Sequence, residues 1–130
     1  EGVGMAVFNA LLVDGEMDFV STLAERLRMR DVNADIATDG YEALEYIERH
    51  KPPVIVLDVM MPGLNGLEVL TQIKSRHPEL QVILLTGRGL TKDGIEGMRR
   101  GAFDYLVKPI KIEDLMEKMN AAIKAEPETR

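Results

Sequence analysis

The sequence predicts an α/β fold in which one five-stranded parallel sheet carries helices on both faces. Three observations lead there. Five short apolar runs, rich in β-branched residues, recur along the 130 residues, and a segment with apolar residues at helical spacing follows each of them. Alternation of this kind builds parallel sheets with right-handed crossovers. All five runs end in a polar or turn residue, namely Asp14, Thr38, Asp58, Thr86 and Lys108. The chemistry is therefore expected along one sheet edge, at the carboxyl ends of the strands, where open α/β sheets place their ligand sites.

Phe8 to Val13 reads as the first strand, broken by Asp14-Gly15-Glu16. From Asp18 to Arg30, the residues Phe19, Val20, Leu23 and Leu27 recur at helical spacing between charges. Asn33 to Thr38 is a second strand. Asp39 is expected to cap the next helix, with Glu42 three residues on approximating a capping box. Tyr41, Leu44 and Ile47 are expected on that helix's inner face, and Pro52-Pro53 stops it.

The stretch Val54-Ile55-Val56-Leu57-Asp58-Val59-Met60-Met61-Pro62-Gly63-Leu64-Asn65-Gly66 is the centre of the pattern. An uninterrupted apolar run bounded by turn residues reads as a strand buried on both faces. A carboxylate at its end costs desolvation energy unless a positive or hydrogen-bonding group meets it. Leu67, Val69, Leu70 and Ile73 suggest a third helix, and Gln81 to Leu85 a fourth strand ending at Thr86-Gly87. Between Thr91 and Arg100 only Ile95 and Met98 give a helical signal, with Gly94 and Gly97 inside it. Each interior glycine costs roughly 1 kcal/mol relative to alanine, so this fourth helix is expected to be short or mobile. Gly101 suits its C′ position. Asp104 to Val107 is the fifth strand, and Ile112, Leu115, Met116, Met119 and Ile123 mark the last helix.

Composition narrows the function. The content of 45% hydrophobic and 29% charged residues is that of an ordinary globular domain. No apolar run approaches the ~20 residues that span a bilayer, so no membrane role is expected. The opening Glu1-Gly2-Val3-Gly4 lacks the regions of a signal peptide. The absence of cysteine excludes disulfides and thiolate zinc sites and fits a cytoplasmic setting. A formal net charge of −6 argues against direct nucleic acid binding, whose affinity rests on phosphate contacts. His50 and His77 have no metal-ligand spacing.

Three strand ends offer a carboxylate (Asp58), a hydroxyl before glycine (Thr86-Gly87) and an ammonium before proline (Lys108-Pro109), while the first adds Asp14 with Glu16 nearby. A carboxylate can attack phosphorus and form an acyl phosphate. Neighbouring carboxylates suit a divalent cation, and lysine and threonine suit phosphate oxygens. Taken singly, each residue has a plainer reading: Asp58 as a turn cap, Lys108 as a solvated surface charge, Thr86 as strand-end chemistry. Their joint placement favours the phosphoryl reading.

The blocks LLVDGE, VIVLDVMMPGLNGLEVL, VILLTGRG and GAFDYLVKPI stand in order on that five-fold pattern. With them the chain resembles the receiver domain of two-component response regulators over residues 8–125. Residues 1–7 would then be an unordered or expression-derived leader, and 126–130 a tail or the start of a linker. The resemblance implies a doubly wound, flavodoxin-like sheet of strand order 2-1-3-4-5. It implies that Asp58 is the phosphoacceptor, taking a phosphoryl group from a sensor histidine kinase or phosphotransfer protein. It implies Mg²⁺ held by Asp14, Asp58 and the backbone carbonyl of Met60. Thr86 and Lys108 would bind the phosphoryl group, Thr86 and Tyr105 would switch together, and the Lys108-Pro109 peptide would be cis. The face of helix four, strand five and helix five would then address an output domain or partner protein. Dimerisation is left open. Such a domain is no turnover enzyme, catalysing only its own phosphorylation and dephosphorylation.

One position departs from the family. A second acid, which ligates the metal, usually follows the first; here it is Gly15. The loss of an anionic ligand predicts weak Mg²⁺ binding, or a degenerate receiver that works as a protein-interaction module without phosphate. A haloacid dehalogenase-type phosphatase is disfavoured by Met60, which stands where those enzymes carry a second Asp. A flavodoxin-like FMN binder is disfavoured because no hydroxyl-rich loop follows the first strand.

Overall fold

The computed structural model describes residues 7–89 and 91–125. The leader, apart from Val7, and the tail expected at 126–130 lie outside them. Five strands and five helices alternate: β1 (Phe8–Val13), α1 (Met17–Arg28), β2 (Val32–Ala37), α2 (Gly40–His50), β3 (Val54–Asp58), α3 (Gly66–Arg76), β4 (Gln81–Thr86), α4 (Thr91–Arg99), β5 (Asp104–Val107) and α5 (Ile112–Lys124). The strands are all parallel, in the order β2-β1-β3-β4-β5. This is the flavodoxin-like arrangement expected from the sequence.

The period-2 alternation of strand side chains divides the interior into two cores. Ala10 and Leu12 of β1, with Val54 and Val56 of β3, pack under α1 and α5 against Val20, Leu27, Leu115 and Met119. Leu11, Val13, Ile55 and Leu57 point the other way, toward Ile47, Val69, Leu70 and Ile73 on α2 and α3. Every residue of β3 is buried, as its unbroken apolar run requires.

One sequence expectation needs correction. Tyr41 does not face inward: it is 68% exposed, whereas Ile47 is buried as expected, Leu44 packs partly buried against the core, and Gly40 and Ala43 complete the inner face. The helix enters too close to α3 for a larger residue, since a Cβ on Gly40 would lie 2.7 Å from the Val69 side chain. On α4 the apolar pair that marks the helix, Ile95 and Met98, is exposed, while Gly94 and Gly97 are buried. The glycines that weaken the helical signal are the packing face. A Cβ on Gly97 would stand 2.0 Å from Leu84 Cδ1, and one on Gly94 would stand 2.5 Å from the Tyr105 ring. The helix is short, and Arg100 just beyond it ties it to α3, donating to the Leu67 carbonyl and the Thr71 hydroxyl.

The expected cap forms, with the Asp39 side chain accepting from the Glu42 N–H at 2.8 Å. Glu42 does not complete the box, because its carboxylate accepts from the N–H and hydroxyl of Thr38. The complete capping box is at α3, between Asn65 and Glu68.

Candidate functional site

Strand register explains how distant residues meet. Val13 pairs with Leu57, which brings Asp14 level with Asp58. Asp58 pairs with Leu85, and Thr86 with Val107, so Thr86 and Lys108 extend one residue further along the same edge. The Lys108 N–H donates to the Thr86 carbonyl at 2.7 Å, and the Lys108-Pro109 peptide is cis.

A cleft of about 710 Å³ opens over this edge, lined by Gly15, Glu16, Asp58, Met60, Gly87 and Lys108 among others. Asp58 in its lining is 6% exposed, and Asp14, level with it on the neighbouring strand end, is 1% exposed. The Lys108 ammonium donates to Asp14 Oδ2 at 2.9 Å and to Glu16 Oε1 at 3.4 Å, and stands 3.8 Å from Asp58 Oδ1. It also lies 4.6 Å from the centroid of the Phe19 ring.

Burial pushes the Asp58 carboxyl up to about 6, and the neighbouring Asp14 charge adds to the rise; Lys108 and the Met60 N–H oppose it. Burial pulls Lys108 down, but the hydrogen bond to Asp14 and the charges of Asp58, Asp14 and Glu16 outweigh it, so the lysine titrates above its ordinary value. An ammonium set among carboxylates is the expected outcome of burying acids at one edge.

Thr86 is fully buried, and its hydroxyl makes a long 3.5 Å contact to the Leu106 carbonyl. It lies at the end of β4, beside Gly87 of the cleft wall. The Tyr105 side chain is half-buried and packs against the core layer beneath α4. Met60 is exposed at the cleft, its N–H donating to Asp58 Oδ1 at 3.3 Å.

The donor set suits a hard divalent cation that keeps much of its water. Asp14 and Asp58 give oxygen ligands beside a roomy, open cleft, and one lysine does not balance the carboxylates around it. Gly15 contributes no side chain, and among the described residues no three acidic or histidine side chains converge as a metal-binding group. Packing does not demand the glycine: a Cβ there would make an ordinary 3.5 Å contact with the Thr38 carbonyl.

Sequence reasoning gave no site role to two residues that have one. Phe19 was legible only as a member of the α1 apolar stripe. Gly66 supports the site from behind, since a Cβ on it would lie 2.4 Å from the Asp58 carbonyl oxygen. A glycine opening a helix just after a capping Asn was the available signal.

A family model described as the response regulator receiver domain matches residues 10–120. The chain is 38% identical over 114 residues to the response regulator MprA of Mycobacterium sp. (strain KMS), a match covering 88% of this chain and 50% of MprA. It thus spans about half the length of the curated relatives it matches. Among solved structures, a response regulator receiver domain protein from Clostridium thermocellum superposes with a TM-score of 0.87 at 31% identity, covering 90% of this chain and 94% of that one. The receiver domain of NtrX from Brucella abortus gives 0.86 at 33% identity, covering 90% and 99%.

Proposed function

The chain belongs to the response regulator receiver domain family, a signalling module of two-component systems, and from that premise we propose that Asp58 is its phosphoacceptor. The phosphoryl group comes from a phosphohistidine on a sensor histidine kinase or phosphotransfer protein. An Asp58 oxygen attacks phosphorus, the new P–O bond forms as the P–N bond breaks, and the imidazole nitrogen keeps the electron pair and takes a proton. The observation that carries this reading is the Asp58 carboxylate beside the Lys108 ammonium at the floor of an open cleft.

Each residue then has a task. Lys108 supplies a point charge for a phosphoryl oxygen. Thr86 exchanges its long contact with Leu106 for a hydrogen bond to another phosphoryl oxygen. Its movement frees space that Tyr105 follows into, and the face built by α4, β5 and α5 reports the change to an output domain or partner protein. Asp14, Asp58 and the Met60 carbonyl would hold Mg²⁺, which would supply positive charge against the phosphoryl oxygens. A cytoplasmic setting follows from that partner; among the described residues no helix is long and apolar enough to cross a membrane.

Gly15 favours a second reading, a degenerate receiver that binds partners without phosphate. Intact-mass analysis after acetyl phosphate and Mg²⁺ separates the two. The leading reading expects one phosphoryl adduct on the parent and none on Asp58→Asn. An unlabelled parent that still captures its partner would favour the second.

A further inference from the structure

We propose that Phe19 is a positioning residue for the reaction at Asp58, holding the Lys108 ammonium over its ring so that the charge can pass from Asp14 toward a phosphoryl group on Asp58. The inference rests on the reading of Asp58 as acceptor. Phe19 lies in the first turn of α1, and only its later neighbours Val20, Leu23, Ala24 and Leu27 are fully buried. The Phe19 ring is half-buried at the end of the core nearest the cleft, with the Lys108 ammonium 4.6 Å from its centroid.

The lysine has three N–H donors and an uneven set of partners. Asp14 at 2.9 Å and Glu16 at 3.4 Å, both from the β1–α1 loop, draw it toward β1, while Asp58 stands farther off at 3.8 Å. A hydrogen bond to a fixed oxygen is lost when the donor moves. The attraction of an ammonium to an aromatic face is broad and survives a shift along that face. The ring also occupies space that water would otherwise take beside a lysine only 21% exposed. Gly15, with no side chain, adds nothing to the holder, and the ring over the ammonium is that of Phe19.

The test uses the full chain, Phe19→Leu and Phe19→Tyr, with two readouts. In the parent, NMR should show the Lys108 side-chain methylene protons displaced upfield by the ring current relative to the other lysines. Phe19→Leu should lose that displacement and acquire label from acetyl phosphate about fivefold more slowly, while Phe19→Tyr keeps the displacement and labels within about twofold of the parent. A parent without the displacement overturns the proposal and needs no substitution to do so. So does a folded Phe19→Leu that labels at the parental rate, or a Phe19→Tyr as slow as Phe19→Leu. A parent that labels normally on Asp58 but lacks the ring shift refutes Phe19 alone; a parent that does not label refutes the acceptor as well.

Discussion

The Lys108 ammonium stands 3.8 Å from Asp58 Oδ1 while bonding Asp14 Oδ2 at 2.9 Å. It is therefore near enough to stabilise added charge on Asp58, yet its shortest bond is to another acid. That unequal sharing leaves Asp58 with an unrelieved burial cost, and its elevated titration follows.

Asp58 should make stability fall as pH rises. Its carboxyl titrates near 6 when folded, against 3.8 as the ordinary value. A raised folded value means that the acid's stabilising contribution is complete below about 4 and is lost as pH climbs through about 6. In EDTA, Asp58→Asn should therefore exceed the parent by about 3 kcal/mol at pH 7, with the gap closing toward pH 4. Denaturant melts at the two pH values check this; a gap independent of pH would contradict it.

Gly15→Asp should restore an anionic ligand without crowding, given the 3.5 Å clearance to the Thr38 carbonyl. The Mg²⁺ concentration giving half-maximal labelling should drop about tenfold. Titration of Mg²⁺ during acetyl phosphate labelling measures it, and half-saturation of the parent at sub-millimolar to low-millimolar Mg²⁺ would refute a weak site.

Two glycines should respond unequally to alanine. Gly66→Ala forces a methyl group against the Asp58 carbonyl oxygen at 2.4 Å, where only backbone movement relieves it. A loss of about 3 kcal/mol is expected, together with slower labelling. Gly15→Ala meets only ordinary contact and should stay within about 0.5 kcal/mol of the parent. Chemical denaturation of both variants tests the contrast.

Gly94→Ala places a methyl group 2.5 Å from the Tyr105 ring, which unlike backbone can turn aside. Overpacking of about 2 kcal/mol is offset by about 1 kcal/mol of helix propensity, leaving a net loss of about 1 kcal/mol. The Tyr105 ring resonances should move while those of Tyr46 stay fixed. Unchanged Tyr105 resonances would show that α4 does not press on the ring.

The sheet was legible because each strand is a short apolar run stopped by a polar residue, a pattern with one economical solution. Asp14, Asp58 and Lys108 could be placed at one edge for the same reason. What escaped notice depends on distances between backbones. Gly94 and Gly97 look like helix weaknesses in sequence and are contact surfaces in space. Tyr41 lies one residue from the buried Gly40, and helical spacing read from apolar residues alone put the wrong neighbour inside. Phe19 opens an apolar stripe, and its ring meets the lysine that follows β5, which no local pattern announces.

The most direct test locates the acyl phosphate itself. The chain is labelled with acetyl phosphate and Mg²⁺, reduced with borohydride and mapped by peptide mass spectrometry. Homoserine at position 58, absent when the phosphate donor is omitted, is the result expected. Reduction product at Asp14 or Glu16 with position 58 unchanged would contradict the assignment of the acceptor.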